Sequence, residues 1–435
     1  MTPQRLLRQL ICFIFLLSLN AYGEEGFRSP TSLQHLTLKM AEELWQQKNL
    51  NIQIAKNQVE GAKADTLSAA RRPNPQLSYY MNSIGAGRDH RYLNGSDQVI
   101  HIDQTFERGD KRELRMKSAD LMLHASEADY ESIKRLSKTQ LYQLYYQLHL
   151  AQDKLKISED NASLYEKTLE VSQLRFKAGD ISAAELSRLD LDKLRADNEV
   201  IQAKNILKQA QIDLAIYIGE ELSAPIIEVT DPWPRRTENA YQNPINIENR
   251  PDVKAAILRL NAADTNLELA LAQKKRDVTI GAQIEHNSLD LESNTIGLGV
   301  SIPLMTGYGF EGEIARAVSD KKLAETDLER IKAQAISEVN KARGDLKTAE
   351  ARVTHYDDNL LKEADKVLQS AEFAYKQGAQ SVMDLLDARR TYKSTQLEAM
   401  SARADYASAL SSWLLLSRES ESPWAYLKKL FYLLA

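Results

Sequence analysis

The chain holds one cysteine in 435 residues, and that residue, Cys12, lies inside the N-terminal apolar run. A mature protein without it has no disulfide, no reactive thiol and no cysteine-ligated metal. The seven histidines are scattered and form no HxxH or HxxxH pair. No Gly-rich phosphate loop and no nucleophile–base–orienter set is present either, which argues against an enzyme. Basic excess is lacking as well: the formal charge is −5, and about −7 once Arg5 and Arg8 are removed, so nucleic acid is not an expected partner. After residue 23 no apolar run approaches the ~20 residues of a membrane helix. Mean hydropathy is −0.44, so any membrane association must come from amphipathic segments.

Proline is absent from 76 to 224 and from 304 to 422, whereas five of the 11 prolines fall between 225 and 251. Two long stretches without proline around a proline-rich connector read as long helices around an irregular linker.

What is present begins with a leader. Arg5 and Arg8 precede the ten-residue run Leu10–Leu19, and Ala21-Tyr22-Gly23 is a small-x-small cleavage site. The expected signal peptide is 1–23, with a mature start at Glu24.

The rest says nearly the same thing twice. Arg175-Phe176-Lys177-Ala178-Gly179 with Glu185-Leu186 returns as Ala374-Tyr375-Lys376-Gln377-Gly378 with Asp384-Leu385. Gly109 returns as Gly307, 198 residues on, and Gly179 as Gly378, 199 residues on. This is a duplicated supersecondary unit. The expected organisation is a first repeat over 24–218, a linker over 219–250, a second repeat over 251–418 and a tail over 419–435.

Within each repeat apolar residues keep a seven-residue beat. Leu141, Leu148, Leu155, Ala162, Leu169 and Phe176 form one row; Val339, Leu346, Val353, Leu360 and Val367 form the other. Such rows predict left-handed coiled-coil packing. Gly179 and Gly378 suit the left-handed ends of these helices, and Ser182 and Ser381 suit caps of returning helices near 183–217 and 382–417.

Period-2 alternation predicts two β-hairpins, about 75–106 and 277–304. Leu77, Tyr79 and Met81, Ile100, Ile102 and Phe106, Val278 to Ile284, and Ile296 to Leu304 carry the apolar face. Four such strands in an exported chain favour a membrane barrel over a soluble sheet. Four cannot close one, and lipid tolerates no open edge, so the chain is expected to oligomerise into a shared barrel. The first hairpin loop, around Gly85 to Ser96, is expected to be about five residues longer than the second.

With these features the chain resembles the TolC family of outer-membrane efflux channels. The most specific segment is Tyr375-Lys376-Gln377-Gly378-Ala379-Gln380-Ser381-Val382-Met383-Asp384-Leu385-Leu386-Asp387-Ala388, repeated degenerately at the first tip. Arg72-Pro73-Asn74-Pro75 and Glu107-Arg108-Gly109-Asp110-Lys111-Arg112 with Arg115 are similar to the CzcC-like, cation-efflux branch. These basic runs also suit phosphate headgroups or helix caps.

The resemblance implies an α+β membrane fold: a TolC-like homotrimer with a shared twelve-stranded outer-membrane barrel, four strands per chain, continuing into a long periplasmic helical barrel. The implied location is the outer membrane of a Gram-negative bacterium. Implied partners are a periplasmic adaptor (membrane fusion) protein, an inner-membrane RND transporter and outer-membrane lipid; no cofactor is implied. Asp384 and Asp387 match acidic rings that narrow the periplasmic mouth, although an Asp pair at i, i+3 alone also reads as a solvated face. Tyr375 matches a residue that ties the two hairpins by bonding an acidic side chain, here Glu185; ordinary heptad packing is the alternative. Gln380 stands where an arginine closes a salt bridge, which a neutral side chain cannot make. The turns at Gly179 and Gly378 match the adaptor contacts. Two competitors stay open: a channel for type I protein secretion, and a secreted coiled-coil structural protein.

Overall fold

The computed structural model describes residues 33–82, 96–220, 227–237, 245–287 and 293–417. The expected signal peptide and C-terminal tail, and nearly all of the first hairpin loop, lie outside these. The order is α1 (Leu38–Lys48), α2 (Leu50–Ala69), β1 (Gln76–Asn82), β2 (Asp97–Phe106), α3 (Lys111–Ala178) and α4 (Ala183–Tyr217), then α5 (Pro251–Ala272), β3 (Val278–Asn287), β4 (Ser293–Ser301), α6 (Glu311–His355), a π-helical turn (Tyr356–Leu360), α7 (Leu361–Lys376) and α8 (Val382–Ser417). The returning helices α4 and α8 start one residue after Ser182 and Ser381, as the capping signals require. With 68 residues and no proline, α3 is about 100 Å long.

The four strands form one antiparallel sheet in the order β1-β2-β3-β4. Its two faces differ. Leu77, Ile100, Ile284, Ile296 and Leu298 stand on one face, Leu298 at 85% exposure. His101, Asp103, Thr105, Thr279 and Gln283 share the other, with His101 Nε2 2.7 Å from Asp103 Oδ1 and the Thr105 and Thr279 hydroxyls 3.0 Å apart. An apolar face left this bare belongs against lipid. Within the described residues β1 and β4 have no outer neighbour. In lipid such edges must pair with strands of other copies. Two sequence expectations shift here. Pro303 has no N–H for the ladder, so β4 stops at Ser301 and not near Leu304. Fourteen residues separate β1 from β2 and five separate β3 from β4, a larger difference than the sequence offset gave.

At the sheet's base each long helix begins with a residue in the left-handed region, Asp110 (φ 58°) or Phe310 (φ 63°). These two, not Gly109 and Gly307, are therefore the conformational equivalents. Gly109 is itself left-handed (φ 80°), and a Cβ there would meet Lys275 Cδ at 2.5 Å. Part of the basic run of the first repeat fixes this corner. Lys111 Nζ and the Arg108 N–H both reach Asp277 Oδ1, at 2.9 Å. Arg112 Nε donates to the Ala70 carbonyl at 2.8 Å, and Arg115 forks onto Glu107.

The main core lies at the middle of the helices, where α1, α3, α4 and the linker meet around Trp45, Leu141, Tyr145, Leu148, Leu214 and Ile227. Leu141 and Leu148 of the expected row are fully buried, but Phe176 is 41% exposed. Nearer the tip α3 is covered by α4, α8 and, through Tyr375, α7, and its buried positions are Ala151, Ser158 and Tyr165, a companion heptad row that the sequence also places beside the first. In the second repeat Val339, Leu346 and Val353 are buried, whereas Leu360 and Val367 are 37% and 53% exposed. The π turn adds one residue to its turn of helix. The inward row therefore continues one position later, at Leu361, Leu368 and Tyr375, all half-buried.

Candidate functional site

The tips of the two helical hairpins repeat each other atom for atom. The Gly179 N–H donates to Phe176 O and the Asp180 N–H to Arg175 O; Gly378 and Ala379 do the same to Tyr375 and Ala374, all between 2.9 and 3.0 Å. These paired bonds close the helix end, and φ values of 83° and 70° explain why glycine occupies both positions. Nothing lies within 4 Å of a Cβ placed on either glycine, so both turns are open to a partner.

Both returning helices are capped by a box. Glu185 accepts from the Ser182 N–H at 2.8 Å and hydroxyl at 2.9 Å; Asp384 accepts from the Ser381 N–H at 3.1 Å and hydroxyl at 2.8 Å. The backbone and hydroxyl of Ser182 hold the Glu185 carboxyl below its usual range. Asp384 and Asp387 are exposed one turn apart, opposite the buried Leu385, Leu386 and Ala388. Gln380 is exposed in the turn.

The Tyr375–Glu185 bond expected from the resemblance is not formed. A donor three residues away claims Glu185 with little loss of chain entropy, and Tyr375 lies 4.9 Å below the Arg175 guanidinium, against Leu368, Ala371 and Leu385. The two hairpins are joined by this stack, by the apolar cluster of Tyr165, Leu189, Ala196, Val382 and Leu386 on which Tyr375 also packs, and by a ladder of three cations on α8. Arg389 donates to Thr168 Oγ1 at 2.7 Å and to Glu372 at 3.4 Å; Arg390 pairs with Asp192, and Lys393 with Glu199. Asp192 is only 6% exposed, beside the core of Tyr165, Leu189, Ala196, Val382 and Leu386. Sequence reading missed this ladder. Its trace was a carboxylate inside the seven-residue stripe Leu189–Ala196–Ala203.

At the equator the linker segment 227–237 is strapped across the helices. The Leu38 N–H and the Tyr145 hydroxyl converge on Asp231 Oδ2, at 2.6 and 2.8 Å, and the Thr237 N–H reaches Tyr406. His149 Nε2 lies 2.8 Å from the Asp231 carbonyl, its ring 4.0 Å from that of Trp233, and the Trp233 N–H donates to Asp153 at 2.8 Å. Burial alone would lower the His149 pKa, but the Asp153 carboxylate, 3.6 Å from Nδ1, and the Asp231 carbonyl at Nε2 together outweigh it and raise the value above 6.5. A raised folded pKa stabilises below the unfolded value, near 6.5, and that stabilisation is lost as pH rises through the raised value. Hydrogen exchange in 229–237, corrected for intrinsic rates, should therefore speed up between pH 6 and 8, and His149→Asn should flatten the dependence. A pH-independent wild type would remove His149 from the strap.

Among the described residues no three His, Asp or Glu side chains are grouped to hold a metal, and no helix is long and apolar enough to cross a membrane.

A family model described as "Outer membrane efflux protein" matches residues 43–220 and 245–412. The cobalt-zinc-cadmium resistance protein CzcC of Cupriavidus metallidurans is 21% identical over 359 residues, covering 82% of this chain and 84% of that protein. A probable outer membrane lipoprotein, SilC of Salmonella typhimurium, is 22% identical over 394 residues, covering 87% and 84%. Among solved structures, the CmeC outer membrane channel of Campylobacter jejuni superposes with a TM-score of 0.76 at 17% identity, covering 90% of this chain and 88% of that one.

Proposed function

The chain belongs to the outer membrane efflux protein family, and from that premise we propose that it is the passive duct of a tripartite efflux system exporting divalent metal cations or small toxic compounds. It is an outer-membrane channel with a TolC-like fold and a large periplasmic part, not an enzyme. In the proposed assembly three copies share one barrel. An inner-membrane RND pump supplies the energy, and a periplasmic adaptor docks on the turns at Gly179 and Gly378.

One observation carries the cation reading: at the end of the helices away from the sheet, the only acidic pair of the second tip motif, Asp384 and Asp387, is exposed on one face of α8. Three copies would set six carboxylates around one axis. Carboxylates so close repel anions, attract cations and are relaxed by separation of the helices or by a bound cation. The name of the CzcC relative supports the same cargo class. Opening would be an iris-like movement of the α7–α8 hairpin away from the α3–α4 hairpin.

The test is growth of a deletion strain on zinc, cobalt, cadmium, nickel, copper, silver and lipophilic drugs. Metal sensitivity restored by the wild-type chain is the expected result. Sensitivity to drugs alone would keep the duct and discard the metal cargo. No phenotype in a strain lacking redundant channels would favour type I protein secretion.

A further inference from the structure

The corner between sheet and helices holds more positive charge than its packing uses. Three segments meet there, 70–77, 106–115 and 273–278, since Arg112 and Arg115 bond the carbonyls of Ala70 and Arg71 and the Arg108 N–H reaches Asp277. They carry nine bases and four acids, in a protein that is acidic as a whole. Lys111, Arg112 and Arg115 are turned inward, as described above. The other six, Arg71, Arg72, Arg108, Lys274, Lys275 and Arg276, are exposed, and none forms an ion pair among the described residues. The fourth corner, 302–313, differs: it has no base, and Tyr308 and Phe310 stand 6.1 Å apart above Glu311 and Glu313.

Depth is fixed by the strands. In the antiparallel sheet β1 starts, β2 ends and β3 starts at the same edge, where Gln76 faces Asp103 and Phe106 faces Val278. The last lipid-facing residues at this edge are Leu77, Phe106 and Val278, of which Leu77 and Phe106 are 74% and 45% exposed and Val278 is half-buried. All six cations lie within about five residues of a strand end, so they stand where hydrocarbon gives way to headgroups, on the periplasmic side. Long basic side chains there keep their stems on apolar surface and their charges at the phosphates, and anionic headgroups attract clusters of them.

We propose that this corner is a docking surface for anionic phospholipid headgroups of the inner leaflet of the outer membrane, and that it anchors the barrel-to-helix junction at that leaflet. Six donors per chain suit a phosphate diester with an uncharged headgroup, such as phosphatidylglycerol. A zwitterionic lipid would bring its own cation against them.

The experiment is native mass spectrometry of the purified full-length oligomer, released from micelles holding equimolar phosphatidylglycerol and phosphatidylcholine. We expect at least a tenfold preference for retained phosphatidylglycerol, falling as salt rises. The preference should be lost when all six cations are changed to glutamine, and reduced in the Lys274→Gln/Lys275→Gln/Arg276→Gln variant, whose intact oligomer is read in the same spectrum. Lys208→Gln/Lys347→Gln, exposed positions far along the helices, should leave it unchanged. No preference in the wild type, or an equal one in the six-fold variant, overturns the proposal. Displacement by millimolar inorganic phosphate overturns it too, in favour of a small-anion site.

Discussion

Replacing Arg390 with glutamate should shift the tip strongly toward its open state. We take the packed arrangement of the two hairpins as the closed tip; in it Asp192 is 6% exposed, and its carboxylate is compensated by Arg390 of the other hairpin and by Arg195, 3.5 Å away on its own helix. Breaking a buried pair from one side costs about 3–5 kcal/mol; the half-exposed Arg390 side chain and the remaining Arg195 reduce the loss, while the new glutamate adds repulsion, so this pair stands near the lower figure. About 3 kcal/mol per chain is roughly a hundredfold change in the closed-to-open ratio. The reading is single-channel conductance in planar bilayers, several-fold higher in the variant. Arg390→Asp with Asp192→Arg should restore much of the closed state. An exposed pair sets the contrast: Arg352 and Asp405 are 48% and 54% exposed, and Arg352→Glu should change conductance little, since such pairs contribute about 1 kcal/mol or less. If both variants behave alike, the ladder does not hold the tip.

Trp45→Ala should be the most damaging substitution for stability. Trp45 is 2% exposed in the equatorial core, and its indole N–H donates to Ser137 Oγ at 2.9 Å. Truncating a buried tryptophan costs about 3–5 kcal/mol. Ser137 and the Tyr217 hydroxyl stay bonded to each other at 2.8 Å, so most of that loss is packing and cavity, not an orphaned donor. Trp45→Phe should therefore lose much less, about 1–2 kcal/mol. Apparent unfolding midpoints at one scan rate give the order wild type, Phe, Ala. A midpoint for Trp45→Ala equal to wild type would mean that the oligomer is held elsewhere.

Local chemistry explains which parts of this architecture were legible in the sequence. Glycine followed three residues later by serine announces both tips, because the turn geometry and the cap are each written within four residues. The strands show because lipid and lumen impose a two-residue alternation. The π turn left no such mark. Its side-chain partners are distant in sequence: Tyr356 bonds Glu398 at 3.0 Å, Asp357 bonds Arg403 at 2.8 Å and Asp358 bonds Arg236 at 2.8 Å. The row through Leu360 and Val367 therefore pointed to the wrong face. Arg390 and Asp192 are 198 residues apart, and nothing local couples them. The Glu185 carboxylate went to its own cap for the opposite reason, since Ser182 was closer than any tertiary partner.

If the duct passes cations through an acid-lined mouth, the reversal potential of the purified channel in a potassium chloride gradient will report it. Wild type should be clearly cation-selective, and Asp384→Ala/Asp387→Ala should lose most of that selectivity while still conducting. A wild-type channel without selectivity, or a double variant as selective as wild type, would contradict the account.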